Sequence, residues 1–190
     1  MKLIFATNNQ HKVDEIRIAL PKSFSIISLR EAGIDIDIPE PYATLEENAA
    51  QKAKIVHRLT DSDCFGEDTG LEVYSINNEP GVHSARYAGS DKSFQKNIEK
   101  LLNNLKDAKD RSAQFRTIIC LCMNEDIHNF EGICLGRIVD KQKGANGFGY
   151  DPVFIPDGAK TTFAQMSLQE KSHYSHRKKA LDKLVAFLKQ

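Results

Sequence analysis

Cys64-Phe65-Gly66-Glu67-Asp68-Thr69-Gly70-Leu71-Glu72-Val73 sets two adjacent acids between two apolar alternations. The pattern predicts a strand that ends at the acid pair, then a second extended run through Leu71, Val73 and Ile76. Neighbours on a strand point to opposite faces, so one carboxylate can enter a cleft while the other turns away. Carboxylates held rigidly at such a strand mouth suit a hard cation such as Mg²⁺, or the activation of a water. A solvated acidic turn is the other reading of this stretch.

Working outward toward the N-terminus, Leu45, Ala49, Ala53 and Val56 mark a helix with one apolar face. Glu46 and Glu47 suit its positive end. Asn48 does not suit a helix interior, and a contact made by its side chain would explain it. Before that helix, Ala32 to Tyr42 is acidic and proline-containing and reads as an ordered loop, and Phe24 to Leu29 reads as a strand. At the start, Lys2 to Ala6 reads as a buried first strand, too short in its apolar run for a signal peptide. The polar stretch Thr7-Asn8-Asn9-Gln10-His11-Lys12 follows, and Val13, Ile16, Ala19 and Leu20 repeat at helical spacing until Pro21. A strand that feeds a polar loop into a helix start offers unsatisfied N–H groups to an anion. Asparagine capping of that helix is the alternative use of the same residues.

Toward the C-terminus, Phe94, Ile98, Leu101, Leu102 and Leu105 predict a core-packing helix capped by Ser93. Phe115 to Met123 and Phe130 to Val139 predict an antiparallel hairpin. Together the runs give an α/β chain with a mixed central sheet of five to seven strands flanked by helices. Gly144 to Phe154 brackets Phe148 with Gly147 and Gly149, followed by Tyr150 and Asp151-Pro152. The segment allows close approach to a flat ligand or forms a simple turn, and the proline favours an extended Asp151. Leu181, Leu184, Val185 and Leu188 define a last helix with Ser175 as its expected cap. His176, Arg177, Lys178 and Lys179 crowd its first turn, the wrong end for cations, with Lys171 just upstream. Such a start holds an anion or presents a solvated basic face.

At 190 residues the chain is one domain, 1–190, with room for two lobes and a cleft between them. Its 26 basic and 26 acidic residues cancel, so no general field attracts nucleic acid. No apolar run approaches the length of a membrane span. Cys64, Cys120, Cys122 and Cys134 form no Cys-x-x-Cys pair and read as buried thiols, which points to a reducing cytoplasmic setting.

Six blocks now line up in order. They are Thr7-Asn8-Asn9-x-x-Lys12-x-x-Glu15, Glu47-Asn48-Ala49-x-x-Lys52-Ala53, Glu67-Asp68-Thr69-Gly70-Leu71 and Pro80-Gly81-Val82-His83-Ser84-Ala85-Arg86-Tyr87. Gly147-Phe148-Gly149-Tyr150-Asp151-Pro152 follows, then Thr162-Phe163-Ala164-x-Met166 through Lys171 to Ser175-His176-Arg177. In this order they resemble the inosine triphosphate pyrophosphatase family, which acts on non-canonical purine nucleoside triphosphates. Asn8 stands where that family has glycine, Thr69 where its bacterial members more often have serine, and Gln165 where glutamate is common.

The resemblance implies Mg²⁺-dependent hydrolysis of inosine, deoxyinosine or xanthosine triphosphate to the monophosphate and pyrophosphate. It implies an elongated, two-lobed α/β fold with the active-site cleft between lobes, and a homodimer. Carried over by residue, Thr7, Asn8, Asn9, Gln10, His11 and Lys12 hold the triphosphate with Lys52. Asp68 is the catalytic acid that activates water, and Asp68, Glu40 and Glu67 are the metal ligands. Thr69 touches substrate, and Phe148, Gly149, Tyr150, Asp151, Lys171, His176 and Arg177 clasp the base and sugar side. A 6-keto base offers an acceptor where adenine offers a donor, so His176 or Arg177 is the expected reader of that edge. The rival readings are a pyrophosphatase for other modified nucleotides and a silent nucleotide-sensing or RNA-binding module.

Overall fold

The computed structural model describes residues 1–190. Strand β1 (Lys2–Phe5) pairs in parallel with β2 (Ser25–Ser28) and with β3 (Cys64–Val73). Leu3, Ile4 and Phe5 are all buried, as a continuous apolar run in a parallel sheet requires. The far half of β3 pairs antiparallel with β4 (Glu79–Gly81), Leu71 opposite Gly81 and Val73 opposite Glu79. Strands β5 (Ser112–Met123) and β6 (Asp126–Ile138) are joined by Asn124-Glu125, both at positive φ, 50° and 69°. That pair of angles is the requirement of a type I′ hairpin turn. Strand β7 (Phe154–Pro156) lies antiparallel to β6. The order β2-β1-β3-β5-β6-β7, with β4 beside β3, makes one seven-stranded mixed sheet.

The helices are α1 (Gln10–Ala19), α2 (Leu45–Thr60), α3 (Phe94–Asn104), α4 (Leu168–Tyr174) and α5 (His176–Phe187). Asn9, Thr44 and Ser93 cap the first three by accepting from backbone N–H groups of the first turn. Helix α4 is too short for a periodic signal, but Ser167 and Glu170 form the capping box that announces it. No helix is long and apolar enough to cross a membrane.

The chain forms two compact units, each assembled from separate segments. The first comprises Met1–Asp68, Thr117–Gly132 and Arg177–Gln190, and the second comprises Thr69–Arg116 and Ile133–His176. In the first, Leu3, Phe5, Val13, Ile16 and Phe65 pack with Ile119, Leu121 and, from α5, Leu181, Leu184 and Val185. In the second, Leu71 and Val73 pack with Leu101, Leu105, Phe115, Phe154 and Phe163. All four cysteines are buried thiols. Burial pushes the Cys64 and Cys120 thiols up to about 12, which keeps them protonated.

Three local expectations are corrected. Glu67 and Asp68 do not end a strand: β3 is continuous from Cys64 to Val73 and carries both acids buried in its middle. The polar stretch after β1 is shorter than expected, because Gln10, His11 and Lys12 already form the first turn of α1. Asp151 opens a short 3₁₀ turn, Asp151–Val153, so hydrogen bonds and not an extended backbone fix its carboxylate.

Candidate functional site

In the first unit, β3 presents its two acids to different partners, as strand alternation demands. Asp68 Oδ1 accepts from Lys52 Nζ of α2 at 2.9 Å, and the same ammonium bonds the Glu67 carbonyl at 3.0 Å and the Glu40 carboxylate. Burial opposes a charge on Lys52, yet Asp68 and Glu40 outweigh it and raise the lysine's pKa. Burial also raises the Asp68 carboxyl, against the pull of Lys52 and Lys12. Asp68 is therefore a desolvated carboxylate steadied by cations, the state that favours proton acceptance from a bound water.

Glu67 points the other way. Its Oε2 lies 2.7 Å from Lys12 Nζ and its Oε1 accepts from Arg177 at 3.1 Å. Arg177 also grips Glu15, one turn beyond Lys12 on α1. Arg177, the residue expected with His176 at the base, has its guanidinium almost wholly buried between two carboxylates of the protein. The basic start of α5 does hold an anion, and the anion is internal. Glu15 belonged to a quoted motif but not to the expected site; its spacing three residues from Lys12 was the available signal.

Of the expected triphosphate residues, Thr7 Oγ1 accepts from Asn9 N at 3.1 Å and Asn9 Oδ1 accepts from Lys12 N at 3.3 Å. Asn8 donates to the Ile36 carbonyl at 2.8 Å and Gln10 to Asp14 at 2.7 Å, while His11 is exposed. Asparagine capping and a cationic lysine thus coexist at one helix start.

A metal can be weighed by the chemistry of the donors. Glu40 and Asp68 both converge on one cation, the Lys52 ammonium, and two such hard oxygens plus phosphate oxygens match what Mg²⁺ takes. Glu67 fits less well, since Lys12 and Arg177 already neutralise it.

In the second unit, Lys171 of α4 and Asp151 form a buried pair at 2.6 Å. Asp151 also accepts from Phe148 N at 3.0 Å, which fixes the glycine-flanked loop. Gly147 and Gly149 there have φ of 74° and 61°, a conformation that side chains rarely adopt. The Lys171 ammonium stands 5.2 Å from the centre of the half-buried Phe148 ring. His176 is stacked on Phe115 at 4.7 Å, an aromatic partner that no motif indicated. Tyr150 is buried in the core of this unit and donates to the Ser84 carbonyl at 2.9 Å. Thr69, the first residue of this unit, is half-buried beside Asp68 in sequence.

Comparison with known proteins agrees along the whole length. The model of the Ham1 family matches residues 3–187. A dITP/XTP pyrophosphatase of Flavobacterium psychrophilum is 50% identical over 189 residues, covering 100% of both chains. One from Porphyromonas gingivalis is 47% identical, over 98% of this chain and 97% of its own. Among solved structures, the Staphylococcus aureus Ham1 protein superposes with a TM-score of 0.88 at 39% identity, covering 100% of this chain and 98% of its own. A HAM1 protein from Coxiella burnetii gives 0.89 at 34% identity, with the same coverage. The mixed seven-stranded sheet, the buried acid pair and this end-to-end similarity converge: the chain belongs to the Ham1 family.

Proposed function

We propose that this protein hydrolyses non-canonical purine nucleoside triphosphates, those of inosine, deoxyinosine and xanthosine, to the monophosphate and pyrophosphate with Mg²⁺. It is a nucleoside triphosphate pyrophosphatase. The observation that carries the reading is the set Glu40, Lys52 and Asp68, two carboxylates, one buried and one part-exposed, converging on one buried cation. Relatives named dITP/XTP pyrophosphatase over the full length support the substrate class.

Phosphoryl transfer asks for positioning and charge neutralisation more than for a special nucleophile. Asp68 orients a water toward the α-phosphorus and accepts its proton as the bond to the bridging oxygen breaks and pyrophosphate leaves. Lys12 and Lys52 meet phosphate oxygens, and Glu67 holds Lys12 in place. Glu40 and Asp68 would hold Mg²⁺, which neutralises the developing charge on those oxygens. In the second unit, Phe148 takes the face of the base. His176 stands as the donor for its 6-keto edge, since Arg177 is committed to Glu15 and Glu67. Adenine would leave that donor unpaired, which costs binding.

The test is pyrophosphate release from inosine, deoxyinosine, xanthosine, adenosine and guanosine triphosphates, each with and without Mg²⁺. Mg²⁺-dependent preference for the first three is expected, and activity on none of them would overturn the reading. Asp68→Asn should lower kcat by about 10²–10⁴-fold with nucleotide binding retained. Equal loss of both would remove Asp68 from the role of water-activating acid.

A further inference from the structure

Asn48 is fully buried in the second turn of α2, a place where asparagine is unfavourable. Its side chain behaves as a peptide group. Oδ1 accepts from Tyr42 N at 3.1 Å and Nδ2 donates to Tyr42 O at 3.1 Å. Tyr42 stands two residues beyond Glu40, with Pro39 and Pro41 on either side of the glutamate. Each proline fixes its own φ, and Pro41 also restricts the backbone of Glu40. A clamp at Tyr42 is therefore transmitted to Glu40 through a stiff connection. One turn further along α2, Lys52 binds the Glu40 carboxylate itself. The pair Asn48 and Lys52, at i and i+4, thus holds the same short segment twice, at the Tyr42 backbone and at the Glu40 side chain.

We propose that Asn48 is a positioning residue that delivers the Glu40 carboxylate to Lys52 and Asp68. This rests on the function assigned to Glu40 above. The clamp is specific in its chemistry: a buried amide satisfies one donor and one acceptor of a loop residue that has no strand to pair with, and no other side chain of that size offers both from two separate atoms. Alanine would leave both Tyr42 groups unpaired, and aspartate would keep the acceptor but oppose an oxygen to the Tyr42 carbonyl.

A double-mutant cycle tests it, with kcat and KM for deoxyinosine triphosphate measured at saturating Mg²⁺ for Asn48→Ala, Glu40→Gln and the pair. Asn48→Ala alone should lower kcat by about tenfold, the worth of one or two buried hydrogen bonds, with a smaller change in KM. In the Glu40→Gln background the further loss should be under about twofold. Equal losses in both backgrounds would make Asn48 a merely structural residue and overturn the proposal. No effect of Glu40→Gln would overturn both the proposal and the role given to Glu40. Asn48→Asp replaces the alanine variant in the cycle if thermal melting shows that Asn48→Ala does not fold. Amide exchange of residues 37–43 gives a readout independent of turnover. Exchange there should quicken by about tenfold in the Asn48 variant while β1 is unchanged. Unchanged exchange sinks the clamp even if the protein proves to have another substrate.

Discussion

Arg177 carries a permanent charge where almost no water reaches, with its side chain 2% exposed. Its nitrogens meet Glu15 and Glu67, and those carboxylates raise its pKa above an already high value despite the opposing effect of burial. Removing one member of such a group leaves the others buried and uncompensated, which costs more than the intact pair contributes. Arg177→Ala should therefore destabilise the protein by about 3–5 kcal/mol, read from urea unfolding. It should also loosen Lys12, which shares Glu67 with it. A variant with unchanged stability and altered base preference would return Arg177 to the ligand. From sequence, the cationic start of α5 announced that an anion was needed. It could not announce whose anion, because a carboxylate 110 residues earlier in the chain and a phosphate present the same charge.

Helix α2 lies on β3 at Gly66, where a methyl group would overlap the Ala49 carbonyl and stand 2.8 Å from Lys52 Cβ. This close approach is what lets Lys52 reach Asp68 two residues along the strand. Gly66→Ala should push the helix away, costing about 1–3 kcal/mol as overpacking does. It should also lower kcat more than the stability loss alone explains. Steady-state kinetics beside a thermal melt checks this, and a melt shift with unchanged kcat would break the link between the glycine and Lys52. The elements themselves were legible wherever a period was long enough to count. The apolar faces of α2 and α3, the runs of β1 and β2 and the hairpin were all readable. Helix α4 was not, having seven residues, and neither was the continuity of β3, because two adjacent acids read as a break. Their burial depends on Lys52, Lys12 and Arg177, which arrive from distant segments.

At the scale of the molecule, neither unit is a contiguous piece of chain. The boundaries at Asp68–Thr69 and His176–Arg177 fall within motifs that the sequence already marked as chemical. Each boundary divides a motif by task, the charged partner staying with the first unit and its neighbour passing to the second. Composition and motif order could show one α/β chain; they could not show that its two compact units share out consecutive residues. Truncation after Ser175 would remove Arg177 and all of Ala180, Leu181, Leu184 and Val185 from the core of the first unit. The truncated chain should lose cooperative unfolding in that unit, visible as rapid amide exchange throughout β1 and α1. A normal melt with protected β1 amides would contradict this.

The packing of α5 on β1 also sets a schedule. On a ribosome adding about 5–20 residues per second, β1 emerges long before its covering helix. Leu3 and Phe5 then wait about 10–40 seconds, and Phe65 about 6–24 seconds, for Leu181 and Leu184 to be made. For that interval the nascent chain carries a finished strand without its cover, the state in which chaperones bind and misfolded partners are met. Slow codons after His176 would lengthen that exposure, whereas the core of the second unit, which needs nothing beyond His176, would already be complete.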